Sequence, residues 1–155
     1  MLTYYRMMSE KYHREPFSSS LSGGRWNPKA YPMIYASSSA ALAALEYLCI
    51  KGTSTALKTW YVVIYEILDS ELIGTLDKES LPQYWDMLPH NKATQDFGKL
   101  WLVENRFPFL RVPSARLHLS FYPEEHNLLV NPRFQGIQDL LKVVDFRKFD
   151  YKLGN

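Results

Sequence analysis

The stretch Ala40-Ala41-Leu42-Ala43-Ala44-Leu45-Glu46-Tyr47-Leu48-Cys49-Ile50 is the most informative part of the chain. Alanine and leucine are strong helix formers, and Ser37, Ser38 and Ser39 just upstream offer side-chain oxygens to the free N–H groups of a first turn. Gly52 ends the helix, and Lys51 places a positive charge at its C-terminal dipole. The helix is apolar all round, which predicts that most of it is buried, the thiol of Cys49 included. Glu46 is the only ionisable acid or base within it. A carboxylate in such surroundings needs a partner, because burying an isolated charge is heavily penalised. Either Glu46 pairs with a structural cation, or it faces a cavity where a ligand meets it.

Working outward, residues 2–8 and 33–36 have the composition of short strands, and residues 60–67, β-branched and aromatic, that of a central strand. The polar residues 9–22 between the first two form a loop, closed by the structure-breaking pair Gly23-Gly24. Apolar spacing predicts helices over 81–88 and 94–104, and short strands over 109–112, 117–121 and 128–130. The tail, 134–151, reads as a short helix followed by a strand. Strands interrupted by short helices without a regular βαβ rhythm predict one α+β domain over residues 1–155, with a mixed or antiparallel sheet.

Composition narrows the function. A chain of 155 residues, 46% hydrophobic and 22% charged, is that of one ordinary folded domain. Its net charge of +2 and lack of any basic run give no footprint for nucleic acid; Lys142, Arg147, Lys148 and Lys152 read as a solvated surface. One cysteine excludes an internal disulfide and a multi-cysteine zinc site. Charged residues throughout the first sixteen positions leave no signal peptide, and no apolar run is long enough to span a bilayer, so a cytoplasmic protein without membrane contact is expected.

The chemistry-bearing residues are few. Arg25 follows two glycines that permit close backbone approach, and its planar guanidinium suits phosphate oxygens. Trp26 and Tyr35 offer aromatic faces. The glycine spacing matches neither a Walker loop nor a dinucleotide-binding fingerprint. His13, His90, His118 and His126 lack metal-ligand spacing and read as surface or satisfied core histidines. Ser114 stands outside a nucleophile elbow, and Asp86, Glu124 and Glu125 read as solvated acids rather than a glycosidase dyad.

Taken in order, several blocks resemble the RES domain, named for an Arg, a Glu and a Ser that are here Arg25, Glu46 and Ser114. They are Gly23-Gly24-Arg25-Trp26-Asn27 with Ile34-Tyr35-Ala36-Ser37; Ala43-Ala44-Leu45-Glu46; and Leu110-Arg111-Val112-Pro113-Ser114-Ala115 with Asn127-Leu128-Leu129-Val130-Asn131-Pro132. Leu81-Pro82, Trp85, Thr94-Gln95, Gly98 and Trp101 also fit, so the likeness runs from about residue 5 to residue 153. One departure concerns catalysis: Ile50 stands where many relatives carry a His one turn after the Glu. Arg133 likewise replaces a frequent His.

The resemblance implies a fold similar to ADP-ribosyltransferases, and a toxin that consumes NAD⁺ or transfers its ADP-ribose. Its implied partner is an antitoxin with an Xre-type helix-turn-helix domain, in a hetero-oligomeric complex where only the antitoxin meets DNA. NAD⁺ is then a substrate, with no cofactor and no metal. The expected site is Glu46 against the ribose and its developing positive charge, Arg25 on the pyrophosphate, Ser114 on ribose or phosphate, and Tyr35 stacked on nicotinamide, with Trp26 and Asn127 completing the NAD⁺ contacts. Hydrolysis is the first expectation, with phosphate or a protein side chain as other acceptors. The rival readings are a mono-ADP-ribosyltransferase acting on a cellular protein, and a non-catalytic module that binds antitoxin or nucleotide.

Overall fold

Alternating and β-branched segments carry most of the chain into a single sheet. The computed structural model describes residues 1–155 and contains seven strands: β1 (Leu2–Ser9), β2 (Ile34–Ser37), β3 (Trp60–Ile67), β4 (Ile73–Thr75), β5 (Phe109–Val112), β6 (Asn127–Val130) and β7 (Leu141–Phe149). Their spatial order is β4-β5-β6-β2-β1-β3-β7. Only β4 and β5 run parallel, so the sheet is mixed. Helices α1 (Ala40–Lys51), α2 (Lys92–Glu104) and α3 (Ile137–Leu140) complete an α+β architecture, as the sequence predicts.

The ladder is uneven. β1 registers with β3 along its whole length and β2 with β6 from Ile34 to Ser37, but β1 meets β2 through one pair, Tyr5↔Ser37. Two blocks of strands therefore join at a narrow seam.

Period-2 alternation sorts the side chains. Tyr4, Ile34, Ala36, Val63, Phe109, Leu128 and Val130 pack together on one face, with Ile137 of α3 over them. Met7, Val62 and Ile64 project from the other and meet Ala44 of α1. Leu110, Val112 and Leu129 share this second face with Trp26, Met33 and Trp85, against which Phe97 and Trp101 of α2 pack. Tyr35, Ser37 and Asn127 alternate with the first set, which turns them to the α1 side.

Helix α1 begins where Ser39 Oγ accepts the Leu42 N–H at 3.0 Å. It ends at Gly52, whose positive φ of 71° lets its N–H reach the Leu48 carbonyl. Burial departs from the expectation. Leu42, Ala43 and Ala44 are sealed against the sheet, whereas Cys49 and Ile50 are exposed. The N-terminal half lies on the strands and the C-terminal half borders an open cleft, so the all-round apolar pattern overstated its burial.

Two expected elements are absent. Residues 81–88 form turns, not a helix: Tyr84 adopts a left-handed φ of 59°, and the N–H groups of Trp85 and Met87 close onto the Pro82 and Tyr84 carbonyls. The apolar spacing there serves to bury Trp85 alone. Residues 117–121 are not a strand: the backbone turns there, with the Phe121 and Tyr122 N–H groups closing onto the His118 and Leu119 carbonyls. They belong to the β5–β6 connection, which contains a 3₁₀ turn at Leu119–Phe121 and is anchored by the Tyr122 hydroxyl, 2.5 Å from the Leu76 carbonyl. The edge strand β4 and a 3₁₀ turn at Gly52–Leu57 went unpredicted.

Helix α2 starts at an Asn91 cap and presses on the loop that carries Arg25. A Cβ placed on Gly98 would lie 1.5 Å from the Trp26 carbonyl oxygen. No rotamer change relieves a clash with backbone, so Gly98→Ala must push helix and loop apart. Alanine's better helix propensity returns about 1 kcal/mol, and overpacking of this severity costs about 3 kcal/mol or more. The clash wins. A thermal melt followed by circular dichroism should show Tm lowered by roughly 4–8 °C for the net loss; an unchanged Tm would mean that α2 does not bear on this loop.

Candidate active site

Glu46 projects from the C-terminal half of α1, where the helix borders a cavity of about 540 Å³. Val112 registers opposite Asn127, so the end of β5 and the start of β6 bring Ser114 and Asn127 beside this carboxylate. The Ser114 hydroxyl donates to Glu46 Oε1 at 2.5 Å, and Asn127 Nδ2 donates to the same oxygen at 2.7 Å. Both donors are themselves oriented. Ser37 of β2 donates to Asn127 Oδ1 at 2.8 Å, which turns the amide nitrogen towards Glu46. The Arg116 backbone N–H donates to Ser114 Oγ at 3.1 Å, leaving the hydroxyl proton for the carboxylate.

Glu46 Oε2 faces differently. Its one charged neighbour is Arg116 Nε at 3.8 Å, beyond hydrogen-bond range. The alternatives of a structural cation and an open cavity thus both meet at Glu46: Arg116 stands at ion-pair distance from Oε2, and the residue lines the cavity. Sequence reasoning missed Arg116 and Ser37. The signal for Arg116 was its place two residues after Ser114; Ser37 was given no part in the site, being read as a helix cap, a task that Ser39 performs, and as one member of a family block.

Arg25 enters the same cavity from the opposite loop. Its Nη1 donates at 2.8 Å to each of the Trp85 and Met87 carbonyls, which the irregular backbone of residues 81–88 leaves available. Burial and the like charge of Arg116 lower its pKa, against the attraction of Glu46 and Asp86; a guanidinium stays charged regardless. The other guanidinium nitrogens make no protein hydrogen bond.

Tyr35 ties the Arg25 loop down. Its hydroxyl accepts the Trp26 N–H at 3.0 Å and donates to Asn27 Oδ1. Burial raises the phenol pKa and keeps it neutral. Gly24 makes the closure possible, since a Cβ there would stand 2.9 Å from the Tyr35 hydroxyl. Gln95 Nε2 of α2 holds the Gly24 carbonyl at 3.0 Å.

Three expected roles need correction. Trp26 is 2% exposed, with its indole edge-on to Phe97, so it floors the cavity and offers no open face for stacking. Ser114 is 3% exposed, and the contact its hydroxyl makes is with the Glu46 carboxylate. Cys49 is an exposed thiol on the cavity wall, not a buried one. Arg25, Tyr35, Glu46 and Asn127 all line the cavity. His126 is a satisfied core histidine, between the Tyr4 hydroxyl at 2.9 Å and the Pro123 carbonyl at 2.8 Å.

The cavity concentrates charge that the whole chain dilutes. Arg6, Arg25, Lys51 and Arg116 line it, against Glu46 as its sole carboxylate. A second cavity of about 580 Å³ continues from it across Arg6, Ser20, Tyr47 and Lys51. Such a cleft suits an elongated, anionic ligand carrying hydroxyls for one oriented carboxylate.

Comparison with known proteins identifies the family. The RES domain family model matches residues 3–151. A protein named Toxin Res from Yersinia enterocolitica is 33% identical over 150 residues, 95% of each chain. A protein named Prs ADP-ribosylating toxin from Sphingobium is 34% identical over 116 residues, which is 74% of this chain and 69% of that one. In three dimensions, a chain of the M. tuberculosis MbcT–MbcA toxin–antitoxin complex superposes with a TM-score of 0.71 at 19% identity, covering 96% of this chain and 84% of the other. With its domain model matched almost end to end and its Arg, Glu and Ser gathered around one cleft, the chain belongs to the RES domain family.

Proposed function

We propose that this chain is the toxin of a toxin–antitoxin pair and breaks the nicotinamide–ribose bond of NAD⁺. The observation that carries the reading is the Glu46 carboxylate: Oε1 is fixed by Ser114 and Asn127, Oε2 is open, and the surrounding cleft is otherwise cationic. Departure of nicotinamide builds positive charge on the ribose. An oriented carboxylate attracts that charge more strongly than it attracts the ground state, in which the charge sits on the nicotinamide ring, and this difference lowers the barrier. Arg25, anchored through Nη1 with its other donors free, grips the pyrophosphate. Asn127 acts through Glu46, and Tyr35 holds the Arg25 loop while its ring walls the nicotinamide end.

Water is the proposed acceptor of the ADP-ribosyl group. The relative named as an ADP-ribosylating toxin favours a second reading, transfer to a protein side chain. NAD⁺ labelled in the adenylate moiety separates the two: free ADP-ribose supports hydrolysis, and label on a protein band supports transfer. The proposed partner is an Xre-type antitoxin that covers the cavity mouth, where Ile50 (60% exposed) and Leu88 (59% exposed) present apolar surface. The fold neighbour from a toxin–antitoxin complex supports that pairing.

Two substitutions test the chemistry. Glu46→Gln keeps an oxygen for Ser114 and Asn127 but removes the charge. It should cut kcat for NAD⁺ consumption about a hundredfold or more with modest change in KM; normal consumption would refute the assignment. Ser114→Ala removes one of two donors to Oε1 and should cost about tenfold in kcat, the loss of one hydrogen bond to a charged group, with KM nearly constant. A rise in KM without loss of kcat would instead place the hydroxyl on the substrate.

A further inference from the structure

Arg116 is the one guanidinium of the cleft that makes no hydrogen bond to the protein. Its guanidinium carries five N–H donors, yet makes no protein hydrogen bond, and its one ionic contact is the 3.8 Å approach to Glu46 Oε2. The side chain is 18% exposed and that of Glu46 21%, so neither group is freely bathed by water. Arg25 differs: Nη1 is pinned between two carbonyls and the group is fixed in place. The cleft thus pairs an anchored guanidinium with a free one, and the two flank the reactive carboxylate.

Oε2 is the only carboxylate oxygen left for a ribose, and Arg116 stands against it. A phosphate oxygen is the better partner for Arg116, since it accepts short, bidentate, charge-assisted bonds, where the carboxylate offers contact only at ion-pair distance. We infer that Arg116 is a specificity-determining residue that exchanges partners: it faces Glu46 Oε2 before substrate enters, and a phosphate oxygen of the dinucleotide draws it away, freeing that oxygen for the ribose. The inference rests on reading the cleft as an NAD⁺ site. Its consequence is discrimination. A nicotinamide nucleoside without phosphate must compete with Arg116 for Oε2 and provides nothing to draw it off.

The test compares NAD⁺ with nicotinamide riboside in wild type, Arg116→Ala and Arg116→Lys, and measures ADP-ribose binding to the same proteins by calorimetry. In Arg116→Ala the ratio of kcat/KM for NAD⁺ to that for nicotinamide riboside should fall roughly ten- to a hundredfold, and ADP-ribose should bind more weakly by a similar factor, the loss of a charged hydrogen bond to phosphate. Arg116→Lys should recover part of both. The ratio is insensitive to the fraction of protein folded, because misfolding removes both activities together. An unchanged ratio with both activities falling in parallel overturns the exchange and leaves Arg116 as a support for Glu46; unchanged ADP-ribose binding, or none to wild type, also overturns it. The two readings fail separately. Wild type that binds ADP-ribose through Arg116 yet leaves NAD⁺ intact sinks bond cleavage alone, and wild type that cleaves NAD⁺ while Arg116→Ala keeps the ratio sinks the exchange alone.

Discussion

The carboxylate of Glu46, with one oxygen doubly hydrogen-bonded and the other left open, is the constraint around which the site is built. Holding it requires α1, the β5–β6 connection and the first residue of β6 to meet, with β2 contributing Ser37 behind Asn127. A half-buried carboxylate that loses its donors is left poorly solvated as well as unbonded, so these contacts stabilise the fold as well as orienting the group. The seam between β1 and β2, joined by one residue pair, is where the sheet gives room for this convergence. Tyr5 and Ser37, the one pair that joins the two blocks, both line the cavity, so cleft and seam coincide.

Charge is handled in the same divided way. Over the whole sequence, 18 basic and 16 acidic residues nearly cancel. Within the cleft the fold gathers Arg6, Arg25, Lys51 and Arg116 around a single acid. At an effective dielectric of 20, two unit charges 4 Å apart interact by about 4 kcal/mol, so like charges held near one another strain the site, as the effect of Arg116 on Arg25 indicates. On the proposed NAD⁺ reading, a dianionic pyrophosphate would relieve that repulsion and so give binding energy to the part of the substrate that does not react.

The sequence made the frame legible and the connections less so. Ala40–Lys51, with its serine cap and terminal glycine, and the β-branched run Trp60–Ile67 could be placed because local propensity and tertiary role agree there. Residues 81–88 could not, because burying Trp85 mimics helical spacing while Tyr84 breaks the helix in a conformation that no local rule foretold. The site divides likewise. Arg25, Tyr35, Glu46 and Asn127 were identifiable from type and order, and all line the cleft. Trp26 and Ser114 were assigned to the ligand because residue type cannot tell a side chain on the cleft wall from one just behind it. Arg116 escaped notice because a net charge near zero hides local concentration.

That misreading exposes how the site is ordered. Ser37, Asn27 and the hydroxyl of Tyr35 spend their hydrogen bonds on neutral protein groups, and Ser114 spends its proton on Glu46 Oε1. The charged groups keep donors or acceptors unspent: Glu46 Oε2, the outer nitrogens of Arg25 and the whole guanidinium of Arg116. Folding satisfies the first group completely and leaves the second group poised. Electrostatic catalysis needs this arrangement, because groups already oriented by the fold need not reorganise when charge develops on the substrate. The irregular 81–88 segment belongs to the same design. Its turns bring the Trp85 and Met87 carbonyls together on one nitrogen of Arg25, and that double contact is the anchor that holds the guanidinium in the cleft.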